Sequence, residues 1–395
     1  MARGRLKRDI QTRQQLFDFL QAQMQTAYRS LHKSQRLEFE STLIKSYIFE
    51  VDVPNELFAC PQSHKVWVDF IQKLFHPSGY EGLSLQVQAK EEEGFFELDL
   101  HYRNKRAILY LDSLTDKRFW LGFSISDSRV LDWWFEAMIK TRSEIDFVWL
   151  WPSFLERVQD RGDPRGFGLD YDYRKFESES HERTTYFKMQ LWGGRETADL
   201  YRWLKKHPVF GDKAVLAKVR LKEWGEDPSR ELFALQDVKY TGKITTRGTD
   251  FTTHASTLNF VRSEYGKRIQ SLEERYSLRW EEVKQGGVVL EGFPIHFIPQ
   301  GFHLPVLEFC KHVLDGTAPF RLIGLVSYAR DTQAVVEVVD LHTGGELSFE
   351  IYPDILTIYL PERTCGNTIA RLYTNLQHYF NTRFEVEADD GKRLF

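Results

Sequence analysis

The sequence between residues 83 and 124 decides the fold. It reads LSLQVQAK at 83–90, FFELDLHY at 95–102, AILYLD at 107–112 and FWLGFS at 119–124. Apolar and polar residues alternate along most of these segments, as in strands that bury one face. The segments therefore predict four β-strands, and the short connections between them favour antiparallel pairing.

Helices are predicted on both sides of these strands. Apolar residues such as Leu16, Leu20 and Met24 recur at helical spacing, and Asp127 or Ser128 provides an N-cap for a helix after the last strand. The helical segments predicted in this part of the chain are 9–33, 37–49, 63–75 and about 127–140. The region before the strands is therefore expected to be mainly helical.

The remaining sequence predicts more strands and helices in mixed order. Strands are expected at 147–151, 167–176, 184–192, 213–224, 232–246, 322–328, 334–341, 347–352, 355–360 and 384–386. Helices are expected at 196–206, 254–282, 305–314 and 367–379. We expect the charged tail at 387–395 to be held loosely.

These patterns predict the α+β fold class, with antiparallel or mixed β-sheets of meanders and strand–helix–strand units that pack with amphipathic helices. Breaks rich in glycine and polar residues divide the chain into four expected regions. They are a mainly helical N-terminal region with a basic arm (1–80), a β-meander plus helix module (81–160), an α+β middle domain ending in a long helix (161–285), and a C-terminal α+β module (286–395).

Composition narrows the class of protein. The 395 residues are 42% hydrophobic and 14% aromatic, which excludes a disordered chain. No apolar run approaches the roughly 18 residues that span a bilayer, and we find no secretory signal. The cysteines Cys60, Cys310 and Cys365 are odd in number and far apart, which favours a reducing compartment. We predict a cytoplasmic protein with no membrane partner, no cofactor and no metal.

The basic N-terminal arm is the first candidate site. Residues 1–36 carry eight Lys or Arg against two Asp, although the whole chain has a net charge of −4. Such an arm can neutralise nucleic-acid phosphates. The alternative is a solubilising terminus in front of a helix that docks on the body. The predicted nucleic-acid-binding residues are Arg3, Arg5, Lys7, Arg8 and Arg13.

Acidic residues in the predicted strand at 167–176 form a second candidate. Asp170 and Asp172 fall on one face of that strand, with Lys175 and Glu177 close in sequence. Paired carboxylates can hold the divalent metal of a phosphodiester hydrolase. The same alternation describes any strand with one exposed face, so both interpretations stay open. Glu97, Asp99, His101 and Arg103 form a similar face on residues 95–102.

A third candidate is the turn Gly193-Gly194-Arg195, between a predicted strand and a predicted helix. Amides at a helix N-terminus bind phosphate or carboxylate, and Arg195 would add charge. The turn matches neither a P-loop nor a dinucleotide fingerprint. A tight strand-to-helix connection also accounts for the two glycines.

Three classes of function remain. The first is a non-enzymatic intracellular subunit of a multi-protein assembly that binds partner proteins or itself, with nucleic acid as a further ligand of its basic arm. It is favoured because catalytic motifs are missing and aromatic residues are many. The second is a nucleic-acid-binding protein acting on its own through the basic arm and sheet faces. The third is a metal-dependent phosphodiester hydrolase. We favour the first.

Overall fold

A computed structural model describes residues 9–31, 43–59, 64–176, 186–226, 232–283 and 287–395. They form an α+β structure, which confirms the predicted fold class. The chain divides into two compact units. Unit 1 takes the described residues of Met1–Ile145, Glu223–Gln236 and Lys243–Leu258; unit 2 takes those of Asp146–Lys222, Asp237–Gly242 and Asn259–Phe395. The four regions expected from the sequence stay a prediction.

Helices and strands alternate in the first part of the chain. The helices are α1 (Arg13–Leu31), α2 (Asn55–Ala59), α3 (His64–Phe75) and α4 (Ser128–Thr141). The strands are β1 (Ile44–Val51), β2 (Leu83–Ala89), β3 (Phe95–Tyr102), β4 (Lys105–Asp112), β5 (Phe119–Ser124) and β6 (Ile145–Phe147).

The middle of the chain continues this alternation, with two short 3₁₀ helices at Tyr173–Phe176 and Gly211–Lys213. Its helices are α5 (Pro152–Gln159), α6 (Glu196–Lys206) and α7 (Phe251–Tyr276). Its strands are β7 (Asp163–Asp172), β8 (Tyr186–Trp192), β9 (Leu216–Trp224), β10 (Phe233–Lys239) and β11 (Lys243–Gly248).

The last part of the chain is rich in strands. Its helices are α8 (Val306–Val313) and α9 (Asn367–Tyr379). Its strands are β12 (Arg279–Val283), β13 (Gly287–Glu291), β14 (Ile295–Pro299), β15 (Leu322–Arg330), β16 (Gln333–Asp340), β17 (Glu346–Ile351), β18 (Leu356–Tyr359) and β19 (Phe384–Ala388).

The sheet of unit 1 contains the four strands that the alternating sequence predicts. Its strands follow the order β2-β3-β4-β5-β1-β11, and neighbours with a defined register are antiparallel. Helices cover both faces. Phe17 of α1 contacts Phe123 edge to face, whereas Phe135 of α4 contacts Tyr47 and Phe49. Such aromatic contacts add about 0.5–1.5 kcal/mol each to the area they bury.

The secondary structure predicted for the segment that forms β1 was wrong. We expected a helix over residues 37–49, but Ile44–Val51 is a strand, and residues 32–42 lie outside the described part of the chain. All eight residues of β1 are buried. A strand buried on both faces has no polar–apolar alternation, so its sequence period cannot distinguish it from a buried helix.

Unit 2 contains two further sheets beside the strand series β9-β7-β8. One is the hairpin β12-β13, and the other has the order β15-β16-β17-β18-β14-β19. Helix α9, predicted at its observed bounds, supplies the buried Ile369, Leu372 and Leu376. Fully burying such a side chain contributes roughly 1.5–3 kcal/mol.

Two expectations for unit 2 were wrong. The helix predicted over 254–282 ends at Tyr276, because Leu278 donates its N–H to Leu360 and β12 follows. The tail is held in place: Leu394 is 1% exposed, and the ring of Phe395 stacks on Tyr373 at 4.5 Å. Both segments are fixed by pairing with distant parts of the chain, which a local pattern does not contain.

A buried ionic cluster lies in the core of unit 2. The guanidinium of Arg371 contacts Asp146 and Asp340, and its Nε donates to the carbonyl of Phe320 at 2.8 Å. All three charged side chains are fully buried. Burial alone would raise the pKa of Asp340, but the neighbouring Arg371 and His342, with hydrogen bonds from Thr368 and the His342 N–H, together hold that pKa below its usual value. Removing one partner of such a pair costs about 3–5 kcal/mol.

Candidate functional site

Strands β7, β8 and β9 of unit 2 share a polar face that contains several of the predicted site residues. Its register sets Asp170 opposite Lys188, and Gly166 opposite both Trp192 and Arg220. Side chains alternate along a strand, so these groups lie on one side. We call this surface the basic-aromatic face; it comprises Asp170, Asp172, Tyr186, Lys188, Trp192, Lys218 and Arg220.

The two aspartates lie on the same face, as the sequence predicts, and each has a cationic neighbour. Asp170 is 3.2 Å from Lys188 Nζ, and Asp172 accepts from Arg174 at 2.5 and 2.7 Å. Hydrogen bonds from Arg174 lower the pKa of Asp172. A metal ion would have to compete with these cations for the carboxylates. The metal-dependent hydrolase stays a prediction.

Lys175 takes a different direction from the aspartates. Strand β7 ends at Asp172, and Lys175 lies in the 3₁₀ turn that follows. Its Nζ contacts Asp315 Oδ2 at 3.2 Å and Thr317 Oγ1 at 2.5 Å. Glu177 lies outside the described residues. Asp170 and Asp172 therefore lie on the same face of β7, whereas the Lys175 side chain contacts the loop before β15.

Aromatic rings and cations interleave on the basic-aromatic face. The Arg220 guanidinium lies 3.8 Å from the centroid of Trp192, and Lys218 Nζ lies 5.3 Å from it. The guanidinium of Arg174 stands 4.9 Å from the Tyr186 centroid. Trp192 is 36% exposed and Tyr186 is 43% exposed. Exposed rings beside cations can stack on planar ligands and attract anionic ones.

The turn Gly193-Gly194-Arg195 precedes α6, as predicted. Its donors bind acceptors of the chain itself: Gly193 N–H donates to the Arg165 carbonyl at 3.0 Å, and Gly194 N–H donates to Glu196 Oε1 at 3.1 Å. Arg195 donates to Asp163 at 2.5 Å. An anion at this helix N-terminus would have to displace the Glu196 carboxylate. Anion binding here stays a prediction.

Of the five predicted nucleic-acid-binding residues, Arg13 is the one that lies within the described part of the chain. Its guanidinium contacts Glu92 at 2.6 Å and Asp112 at 2.8 Å, and its side chain is 18% exposed. These contacts fasten the start of α1 to the sheet of unit 1. Arg3, Arg5, Lys7 and Arg8 lie outside the described residues. Nucleic-acid binding by the arm stays a prediction.

Strand β15 presents an exposed apolar surface in unit 2. Leu325 is 73% exposed, and Ile323, Val326 and Tyr328 are each at least 39% exposed. The strand is at the edge of its sheet, and its only charged residue is the terminal Arg330. We call this surface the β15 edge; it comprises Ile323, Leu325, Val326 and Tyr328.

Part of the β15 edge is already paired. Gly324 N–H donates to Leu314 and Gly316 N–H donates to Leu322, so the chain covers the first half of the strand. A β-bulge between Val326 and Tyr328 follows. Among the described residues, no strand pairs with the outer side of residues 326–330.

Unit 1 contains a buried polar chain that the sequence reasoning missed. Ser46 Oγ lies 2.8 Å from His254 Nε2, and His254 Nδ1 lies 2.7 Å from Gln236 Oε1. The amide oxygen only accepts, so Nδ1 carries the proton and Ser46 donates to Nε2. This order of groups would activate a serine nucleophile. However, Ser46, His254 and Gln236 are all 0% exposed, so we assign the chain a structural role.

A second buried group in unit 1 is Lys45. Its side chain is 0% exposed, and its Nζ has no hydrogen-bond partner among the described residues. Burial, and then repulsion by Lys243, lowers the pKa of Lys45 to about 8. Nearby, Lys243 donates to both carboxylate oxygens of Asp132, at 2.6 and 2.7 Å. No local sequence signal marks Lys45, because β1 is buried on both faces and its residues therefore show no alternation that would reveal a buried lysine.

Nearly the whole chain matches a known protein family. Residues 5–395 match the family described as MJECL33-like protein. The chain belongs to this family. A curated relative, the uncharacterized protein MJECL33 of Methanocaldococcus jannaschii, is 23% identical over 424 aligned positions that cover 98% of this chain and 96% of the relative.

The match to the MJECL33-like family includes the β15 edge, the basic-aromatic face and the described residues of both units. The family description and the relative's name mention no substrate, cofactor or partner. No helix among the described residues is long and apolar enough to cross a lipid bilayer.

Proposed function

We propose that this chain is a non-enzymatic, cytoplasmic subunit of a multi-protein assembly, and that it binds a partner protein through the β15 edge. The observation that carries the proposal is the exposure of four large apolar residues on one edge strand. Protein edge strands are usually protected by charges, proline or a covering segment. Here residues 322–329 contain no charge and no proline.

The proposed partner contributes an uncharged extended strand. Residues 326–330 offer backbone donors and acceptors, and such a strand would satisfy them by extending the sheet. Its apolar side chains would cover Leu325 and Tyr328, which removes apolar surface from water. A second copy of this chain satisfies the same chemistry, since two antiparallel copies of β15 place no like charges opposite each other.

The test is affinity capture of the full chain from its native cell, divided into nuclease-treated and untreated halves. Leu325→Lys puts a charge on the β15 edge, and Val209→Lys is the matched control. Both residues are more than 60% exposed and lie in unit 2, so neither change buries a charge. We expect a partner, or a tagged second copy, that survives nuclease and is retained by Val209→Lys but lost with Leu325→Lys.

Two results would contradict this proposal. Capture that is equal for Leu325→Lys and the wild type would exclude the β15 edge as the docking surface. Partners that disappear after nuclease treatment would mean that nucleic acid bridges them, and would favour the basic arm or the basic-aromatic face instead.

We propose single-stranded nucleic acid as a second ligand, at the basic-aromatic face. The supporting observation is the exposed Trp192 ring, whose centroid lies 3.8 Å from the Arg220 guanidinium and 5.3 Å from Lys218 Nζ. Base stacking on such a ring is worth about 1–3 kcal/mol. Trp192→Ala should therefore weaken binding of a labelled oligonucleotide at least fivefold in fluorescence anisotropy. Trp203→Ala, an exposed tryptophan on α6, should leave binding unchanged; equal effects would refute the site.

A further inference from the structure

A cavity of about 490 Å³ lies in unit 1, lined by helix α1 and by strands β2 to β5. The register explains its polar wall: Gln88 pairs with Glu97, and Glu97 pairs with Tyr110, so neighbouring strands bring the three side chains to one face. Phe19, Leu20 and Ile108 supply apolar lining. The volume is in the range of ordinary small-molecule sites.

The polar wall contains a buried ion pair. Lys90 Nζ lies 2.7 Å from Glu97 Oε2 and 3.3 Å from Gln88 Oε1. The side chain of Lys90 is 1% exposed and that of Glu97 is 13% exposed. Asp9 and Arg106 also line the cavity, so its four charged side chains sum to zero, and a charged ligand would leave one charge uncompensated there. The site therefore favours a neutral ligand.

The ion pair still has capacity for a ligand. An ammonium has three N–H donors, and Lys90 uses two of them on Glu97 and Gln88. A carboxylate accepts at about four positions, and Glu97 accepts from Lys90 and Tyr110. A donor and an acceptor therefore stand side by side in a cavity whose lining also includes the ring of Phe19.

We propose that this cavity binds a neutral, planar molecule whose edge carries a hydrogen-bond donor beside an acceptor, as a nucleobase does. Lys90 donates to the acceptor of that edge, and Glu97 accepts from its donor. Phe19, Leu20 and Ile108 contact the faces of the ring. The same chemistry is offered by a free nucleoside and by an unstacked base within a strand.

The experiment measures melting temperature and calorimetric binding of the full chain. The probes are adenosine, guanosine, cytidine and uridine, each at up to millimolar concentration, and the four corresponding homotrinucleotides. A ligand that binds the folded state raises the melting temperature as its concentration rises. Preference for a nucleoside identifies a free ligand, and binding of a trinucleotide alone identifies a base within a strand.

Two variants test the site. The double variant Lys90→Met with Glu97→Met removes both charges together, so neither remains buried alone. Ile108→Phe fills part of the cavity without changing its polar wall, and it keeps the proposal testable if the double variant does not fold. Val209→Phe, at an exposed position of unit 2 away from the cavity, is the control.

We expect both cavity variants to weaken binding at least tenfold and the control to bind like the wild type. Failure of every nucleoside and trinucleotide to bind the wild type would overturn the proposal. Binding that is unchanged in a folded cavity variant would overturn it as well.

Discussion

Replacing Lys45 by methionine should stabilise the protein at neutral pH. Lys45 lies in the buried strand β1, and its ammonium has no hydrogen-bond partner among the described residues. A buried, unpaired charge destabilises the folded state, so it lowers the free energy of unfolding. Methionine has a similar length and no charge, so it can fill the same space.

The size of the stabilisation, and the pH range in which it occurs, follow from the pKa of Lys45, which burial lowers from 10.5 to about 8. Each pKa unit corresponds to 1.36 kcal/mol, so the penalty is about 3 kcal/mol below pH 8. Between about pH 8 and 10.5 the unfolded chain holds a proton that the folded chain has lost, so stability rises with pH. The penalty has disappeared above about pH 10.5.

Urea unfolding at pH 7 and at pH 10.5 tests this reasoning. Lys45→Met should be more stable than the wild type by up to about 3 kcal/mol at pH 7, and the difference should approach zero at pH 10.5. Lys105→Met, at an exposed position in unit 1, is the control for loss of one lysine charge. A difference that is the same at both pH values, or a variant that is less stable at pH 7, would refute the argument.

Three other predictions concern single residues. Arg371→Leu removes the cation that bridges Asp146 and Asp340, and urea unfolding should show a loss of about 3–5 kcal/mol. Burial lowers the pKa of His254 to about 3, so stability should fall from about pH 6.5 towards pH 3 by up to about 1.4 kcal/mol per pH unit, and less steeply in His254→Gln. Arg13→Met should cost about 1–3 kcal/mol and increase hydrogen exchange in α1.

Each of these predictions has a result that contradicts it. A loss below 1 kcal/mol for Arg371→Leu would mean that the buried cluster contributes little. If the free energy of unfolding falls equally steeply with decreasing pH in the wild type and in His254→Gln, His254 is not the group whose protonation causes the loss. Unchanged hydrogen exchange in Arg13→Met would mean that α1 is held by its apolar face alone.

Elements with one buried face could be predicted from the sequence. The strands β3 and β5 and the helix α9 have the bounds that periodicity predicts. Asp127 caps α4 by accepting from the Arg129 N–H, as its position suggested. These elements place polar residues towards solvent and apolar residues towards the core, so the spacing of apolar residues in the sequence shows which face is buried.

Elements fixed by distant pairing could not be predicted in this way. Strand β1 is buried on both faces and was expected to be helical. The hairpin of β12 and β13 was missed, because its Trp280, Val288 and Leu290 are exposed and follow no burial pattern. The contact of Ser46 with His254 joins residues 208 positions apart, and depends on where α7 lies against β1.

The candidate residues chosen from the sequence differ in one respect from those found in the structure. Asp170 and Arg195 attracted attention because they are charged, yet each already pairs with an opposite charge of the chain. Glu97, which the sequence also marked as part of a polar strand face, pairs with Lys90, but this pair stands at the wall of a cavity and keeps hydrogen-bonding capacity. Charge alone is therefore a poor guide to a site. A polar group is better placed to bind a ligand when empty space adjoins it and when its own partners leave some of its donors or acceptors free. The pairing of the strands is needed to locate such groups, and the sequence alone does not give it.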